Sequence, residues 1–145
     1  MEHFVDPSPE NFEHFKRLDR STPILMLNML RFRDVAAYPS GHANAALNLS
    51  GANAYKAYGK HSGPVFTRVG GEIIWRGNYE AVVIGPSDEY WDTVFIARYP
   101  NAHAFLEMIK DADYAKAVIH RQAAVATSRL IRFGEAASSS ELFSD

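Results

Sequence analysis

The stretch WDTVFIARYPNAHAFLEMIKDADYAKAVIHR, Trp91 to Arg121, decides how this chain folds. Trp91 to Tyr99 is rich in β-branched and aromatic residues and reads as a strand, which Pro100 stops. Asn101 is a good helix N-cap, and Phe105, Leu106 and Ile109 recur at helical spacing, which predicts a helix over about 102–111. Asp113 can cap a further helix over 114–124, with Tyr114, Val118 and Ile119 on one face. SRLIRF, residues 128–133, is a second strand.

Working outward from this segment, ILMLNMLRFR after Pro23 is a dense apolar run flanked by breakers, and reads as a buried strand over about 24–33. Alternation places Leu25, Leu27 and Met29 on one face, and Met26, Asn28 and Leu30 on the other. Residues 34–50 lack sustained periodicity and form a long loop, of the kind that often covers a binding site. A helix begins near Ser50-Gly51 and ends at Gly70-Gly71. Gly63-Pro64 predicts a kink in it, or two short helices on one axis. GEIIWRG and YEAVVIG read as one long strand with a bulge at Gly77. Ser8-Pro9-Glu10 starts a short amphipathic helix over 9–19, outside the main pattern. Residues 134–145 are small, polar and acidic and read as a mobile tail.

Without these additions the order is β-α-β-β-α-β, the ferredoxin-like arrangement of an antiparallel sheet with helices on one face. The strands are apolar at nearly every position, which predicts burial of both sheet faces and therefore a homodimer joined through them. At 145 residues the chain reads as a single α+β domain over 1–133. A chain of this size buries roughly 68–70% of its unfolded surface, enough for a core without staples.

Composition excludes several function classes. The net charge is −2, with Lys and Arg scattered, so no basic field exists to attract nucleic acid or anionic lipid. There is no cysteine, which excludes disulfides, thiolate metal sites and a cysteine nucleophile, and suits a reducing cytoplasm. The N-terminus MEHFVDPSPENF has neither a basic nor an apolar signal region. No apolar run approaches the roughly 18 residues of a membrane span. The six histidines lack metal-ligand spacing, so no metal and no cofactor is expected.

The pattern EIIWRG, followed by WDTVFIARYPNAHAFLEMIKDADYAKAVIHR and closed by SRLIRF, resembles the bacterial family known as domain of unknown function thirteen-thirty. That family lies within the dimeric α+β barrel superfamily. The likeness covers about 24–133, with the 34–50 loop as a longer insertion. It implies two four-stranded sheets, one per subunit, closing a barrel with helices outside. The wider superfamily includes cofactor-free monooxygenases, a lactone isomerase, haem enzymes and stress-associated proteins, and fold does not choose among them. No catalytic motif of those relatives maps onto this chain.

The candidate site residues are polar groups inside apolar elements. Asn28 sits mid-strand, where its amide could orient a ligand or tie down its own backbone. Arg76 beside Trp75 could bind an anion while the indole packs on an apolar body. Arg98 shares a strand face with Asp92, and the two could equally pair with neighbouring strands. Tyr58 and His61, an i,i+3 pair with Tyr55 nearby, form the best acid–base candidates; otherwise they are an aromatic packing stripe. Arg68, His120 and Arg121 lie near helix C-termini, where cations are electrostatically favoured without any role. A pocket between sheet and helices lined by Asn28, Tyr58, His61, Trp75, Arg76 and Arg98 would suit a compact anionic or aromatic metabolite. Two functions follow: a cofactor-independent isomerase or monooxygenase, and a non-catalytic dimeric binding or stress-related module.

Overall fold

The computed structural model describes residues 2–136. The element order is α1 (Pro9–Arg17), β1 (Ile24–Phe32), α2 (Gly51–Arg68), β2 (Glu72–Asn78), β3 (Thr93–Tyr99), α3 (Ala102–Lys110), α4 (Ala112–Ala124) and β4 (Val125–Gly134). The strands form one antiparallel sheet in the order β2-β3-β1-β4, the ferredoxin-like topology. The expected tail lies, from residue 137 onward, outside the described residues.

Helix ends follow local chemistry. The Ser8 hydroxyl accepts the Asn11 N–H at 3.1 Å, Ser50 accepts from Asn53 at 3.0 Å, and Asn101 from Ala104 at 2.9 Å. Asp111, rather than Asp113, caps α4, its carboxylate taking the N–H groups of Asp113 and Tyr114. Helix α2 closes on Gly70 at φ +91°, with Gly71 donating to the Phe66 carbonyl and Gly70 to that of Thr67.

The strand register assigns the faces. Ile24, Met26 and Leu30 of β1 are buried with Ala97 and Tyr99 of β3 beneath the helices. There Ile24, Met26, Ala97 and Tyr99 meet Val65, Ala102, Phe105, Leu106, Met108 and Tyr114, while Leu30 packs with Ala54, Ala124 and Val125. Helix α1 adds Phe12 and Phe15, the latter 5.1 Å from the Phe105 ring. Leu25, Leu27 and Met29 face away from the helices with Val94 and Ile96 opposite them. Ile131 and Phe133 extend that face along β4, and Trp75 along β2. This second face is apolar but uncovered in the protomer: Trp75 is 52% exposed and Phe133 50%.

Three local expectations are corrected. Helix α2 runs unbroken through Pro64; Lys60, whose carbonyl loses a donor there, is exposed and can be hydrated. The register shift in β2 falls between Ile73 and Trp75, not at Gly77. Gly77 serves another purpose: an added Cβ would sit 2.6 Å from the Trp75 indole, so the missing side chain is the bed on which that ring lies. YEAVVIG is not a strand. Residues 79–92 form a loop, with Val83 93% and Ile84 95% exposed.

Candidate functional site

The 34–50 loop is pinned at both ends. Arg33 and Ala37 donate to the carbonyls of Ala124 and Ala123 at 2.8 and 2.9 Å, Ala36 to Leu49 at 2.8 Å, and Gly51 to Arg33 at 3.0 Å. Gly51 must be glycine: a Cβ there would press on the Arg33 carbonyl oxygen and lie 2.7 Å from that of Ala124. Between these anchors the loop turns tightly, helped by Asn48 at φ 51°. It lowers Tyr38 and His42 onto the outer side of α2 and α4.

There the side chains gather. The Tyr38 ring stacks on His42 at 4.7 Å and meets His120 edge-on at 5.4 Å. His42 meets His120 edge-on at 5.3 Å, and His61 stacks on His120 at 4.9 Å. The Tyr38 hydroxyl lies 2.7 Å from His120 Nδ1. A cleft of about 530 Å³ opens beside them, lined by His42, His61, Pro64, Val65, Asp113, Lys116, Ile119 and His120. That is within the size range of small-molecule sites.

Protonation follows from the surroundings. His120 is only 8% exposed. Its pKa is lowered by burial first, then by the neighbouring His61 and His42, so the imidazole is neutral near pH 7. A neutral ring has one bare nitrogen; where that is Nδ1, the Tyr38 O–H donates to it and the His120 proton sits on Nε2. His42 Nδ1 accepts the Asn44 N–H at 3.0 Å, which likewise leaves Nε2 protonated when the ring is neutral. These bonds and the near-parallel His61 and His120 rings oppose convergent coordination. Among the described residues no group of three His, Cys, Asp or Glu is placed to hold a metal ion.

The six residues expected to share a pocket are not brought together. Asn28 faces the helices and donates to the Met26 carbonyl at 3.0 Å, tying down its own strand. Tyr58 packs on Tyr55 at 5.2 Å, and its hydroxyl lies 2.9 Å from that of Tyr114. Tyr114 has its pKa raised by burial and then by Tyr58, so its hydroxyl stays protonated. Of the expected i,i+3 pair, Tyr58 thus turns inward while His61 joins the histidine cluster. Trp75 lies opposite Ile96 on the uncovered face, and Arg76 opposite Phe95 on the helix face. Arg98 is on the uncovered face, where its Nε donates to Glu135 at 2.8 Å.

The remaining charged residues have structural partners. Asp92 accepts the Phe32 N–H at 2.7 Å. Arg68 pairs with Asp111, and Arg121 donates to the Val5 carbonyl and to Ser128 Oγ. Sequence reasoning missed Tyr38 and His42 as site residues, because the bond that defines the cluster joins positions 82 apart. The only signal was indirect: a long loop carrying an aromatic and a histidine four positions apart.

The fold and this cleft define a ferredoxin-like α+β protein with a histidine-rich site on its helix layer. The chain belongs to the family described as Domain of unknown function (DUF1330), which matches residues 40–134. It is 50% identical to a protein of unknown function from Rhodopseudomonas palustris, covering 94% of this chain and 100% of that one, with a TM-score of 0.87. The methylated form of that protein matches at 50% identity over 96% and 99% of the two chains, with a TM-score of 0.88. SnoaB, a cofactor-independent oxygenase from Streptomyces nogalater, shares the fold at 13% identity and a TM-score of 0.51, over 81% of this chain and 97% of SnoaB. No curated protein matches the chain. No helix among the described residues is long and apolar enough to cross a membrane.

Proposed function

We propose that the chain is a cytoplasmic homodimer, closed through the uncovered sheet faces, whose protomers each bind a compact anionic metabolite in the histidine cleft and isomerise it without a cofactor. The observation that carries the reading is the Tyr38–His120 hydrogen bond at the cleft wall, 2.7 Å long. It fixes one tautomer of a buried neutral imidazole, whose Nε2–H remains free to donate. His61 is exposed and stacked on His120. It is the accessible base.

The chemistry this set suits is proton transfer next to a carbonyl. His61 takes a proton from the carbon beside the carbonyl, and the electron pair of that C–H bond moves onto the carbonyl oxygen. With a β,γ-unsaturated keto acid the His120 Nε2–H stabilises the resulting dienolate; its electron pair re-forms the carbonyl as the double bond shifts into conjugation, and His61 returns the proton to the γ-carbon. No oxidant is needed, which favours isomerisation over oxygenation. Lys116 at the rim suits a carboxylate on the substrate.

The test is a thermal-shift screen with small enolisable keto acids, followed by NMR of proton exchange at the α-carbon in D2O. A stabilising ligand whose α-proton exchanges with the parent protein but not with His61→Gln is the expected result. No stabilisation across the set refutes a metabolite site. A specific observation favours the second reading, a non-catalytic dimeric binding or stress-related module: Asn28, Tyr58 and Arg98 are taken up by Met26, Tyr114 and Glu135. Binding without exchange would support it. Sedimentation at micromolar concentration tests the dimer itself, and Leu27→Asp, mid-face, should yield a single chain.

A further inference from the structure

The segment Tyr79–Gly85 has strand composition but no strand partner. Among the described residues none of its backbone N–H or C=O groups bonds to another backbone group, and Val83 and Ile84 are almost fully exposed. Isolated exposed apolar residues are ordinary; two adjacent ones at a bend of an unpaired loop mark a contact surface. The loop's base is fixed to the uncovered sheet face. The Arg31 guanidinium lies 3.7 Å from the Tyr90 ring centroid, and its Nη2 donates to the Asp88 carbonyl at 3.1 Å. The Tyr90 ring is 6.0 Å from that of Tyr79. Arg129 reaches over Trp91 at 5.3 Å. By register Arg31 and Arg129 both belong to that face, opposite Thr127 and Met29. The loop therefore springs from the rim of the apolar surface.

We infer that residues 79–86 are an arm that clasps a second copy of this chain, with Val83 and Ile84 seated at the rim of the partner's apolar sheet face, beside the closed sheets. The inference rests on the dimer reading above and adds the element that completes it. Four strands at about 4.8 Å spacing and seven residues at about 3.3 Å rise give a face of roughly 19 by 23 Å, near 450 Å² in plan. A standard interface buries about 800 Å² per partner. The sheet faces alone fall short of that need, and the exposed arms lie where they can enlarge the contact. A two-fold axis makes the exchange reciprocal, so both arms find the same seat and the assembly closes at two.

The chain has no cysteine, so Ile84→Cys provides a single attachment point for a maleimide photocrosslinker. The expected product is an intermolecular crosslink whose peptide map lands on the rim of the sheet face, at the edge-strand residues Trp75, Ile131 or Phe133. A V83D/I84D double variant, altered only at exposed positions, should keep the parent's circular dichroism and weaken dimerisation at least 100-fold in sedimentation. A dimeric parent whose double variant dimerises within twofold overturns the arm and leaves the dimer standing. A crosslink that maps to the helices does the same. A monomeric parent overturns both. A monomeric parent that pellets with phosphatidylcholine vesicles through Val83 and Ile84 would also overturn the arm's assignment, giving it to a lipid surface.

Discussion

Replacing Tyr38 with Phe removes one oxygen and leaves its ring stacked on His42, so it isolates the bond to His120 Nδ1. His120 is 8% exposed, and without the hydroxyl its bare Nδ1 is left unpaired. An unsatisfied buried acceptor costs about 1–3 kcal/mol. We expect about 1.5 kcal/mol here, since the adjoining cleft gives water partial access. For a chain of this length that lowers Tm by roughly 4–6 °C. His120→Phe leaves the phenol unpaired instead. Tyr38 is half-buried and reaches water more easily, so that hydroxyl costs less, about 0.5–1 kcal/mol. The double variant has neither group to satisfy, and the cycle should return a coupling of about 1 kcal/mol. Urea unfolding at pH 8, where His120 is neutral in both folded and unfolded chains, measures all four proteins on equal terms. A coupling below about 0.3 kcal/mol, the limit of additivity for independent sites, would refute the bond and with it the fixed tautomer.

Acid should weaken the fold through the same histidine. Its folded pKa lies below the ordinary 6.5, so as pH falls the unfolded chain binds the proton first. The stability this shift gives is complete above about pH 7.5 and declines from near 6.5 until the folded imidazole also titrates; His120→Phe should flatten that decline in urea midpoints between pH 8 and 5. Gly51→Ala drives a methyl into two backbone carbonyls and should cost roughly 3 kcal/mol or more, read as loss of the cooperative transition at 37 °C. Tyr58→Phe leaves the buried Tyr114 hydroxyl unpaired and should cost about 1 kcal/mol, a loss that adding Tyr114→Phe largely relieves. Asn101→Ala removes the cap of α3 and should cost about 1 kcal/mol by urea midpoint.

The order of elements was legible because each carries its own punctuation: Ser8 and Pro9, Ser50, Gly70, Pro100 with Asn101. Strand faces were legible because Leu25, Leu27 and Met29 alternate with the buried set. The arm was misread because YEAVVI has strand propensity, and propensity says nothing about a partner. Asn78 pairs with Thr93, the first residue of β3. The next positions on that strand are already engaged: Asp92 bonds to the Leu30 carbonyl and the Phe32 N–H, and Trp91 is turned beneath Arg129. With no ladder to join, residues 79–85 leave the sheet whatever their propensity. The site was illegible for a different reason. Tyr38, His42, His61 and His120 sit on a loop and two helices, and only the fold makes them neighbours.

Trp75 and Arg76 show why the pocket read from the sequence could not form within one protomer. Adjacent on an extended strand, they must face opposite sides of the sheet, so one small ligand cannot touch both. The register shift ahead of Trp75 then decides which side each takes. It sends the indole to the apolar face with Ile96 and the guanidinium to the helix face with Phe95. The sheet thereby divides the molecule by chemistry. Its apolar side, with residues 79–86 at the rim, is the surface we propose for a second copy. Its helix side carries the imidazoles, the phenol and the cleft. If that division is right, Leu27→Asp should abolish dimerisation and leave the pH dependence set by His120 unchanged, while Tyr38→Phe should do the reverse. Coupling between the two sets of variants would mean that the sheet transmits what its geometry separates.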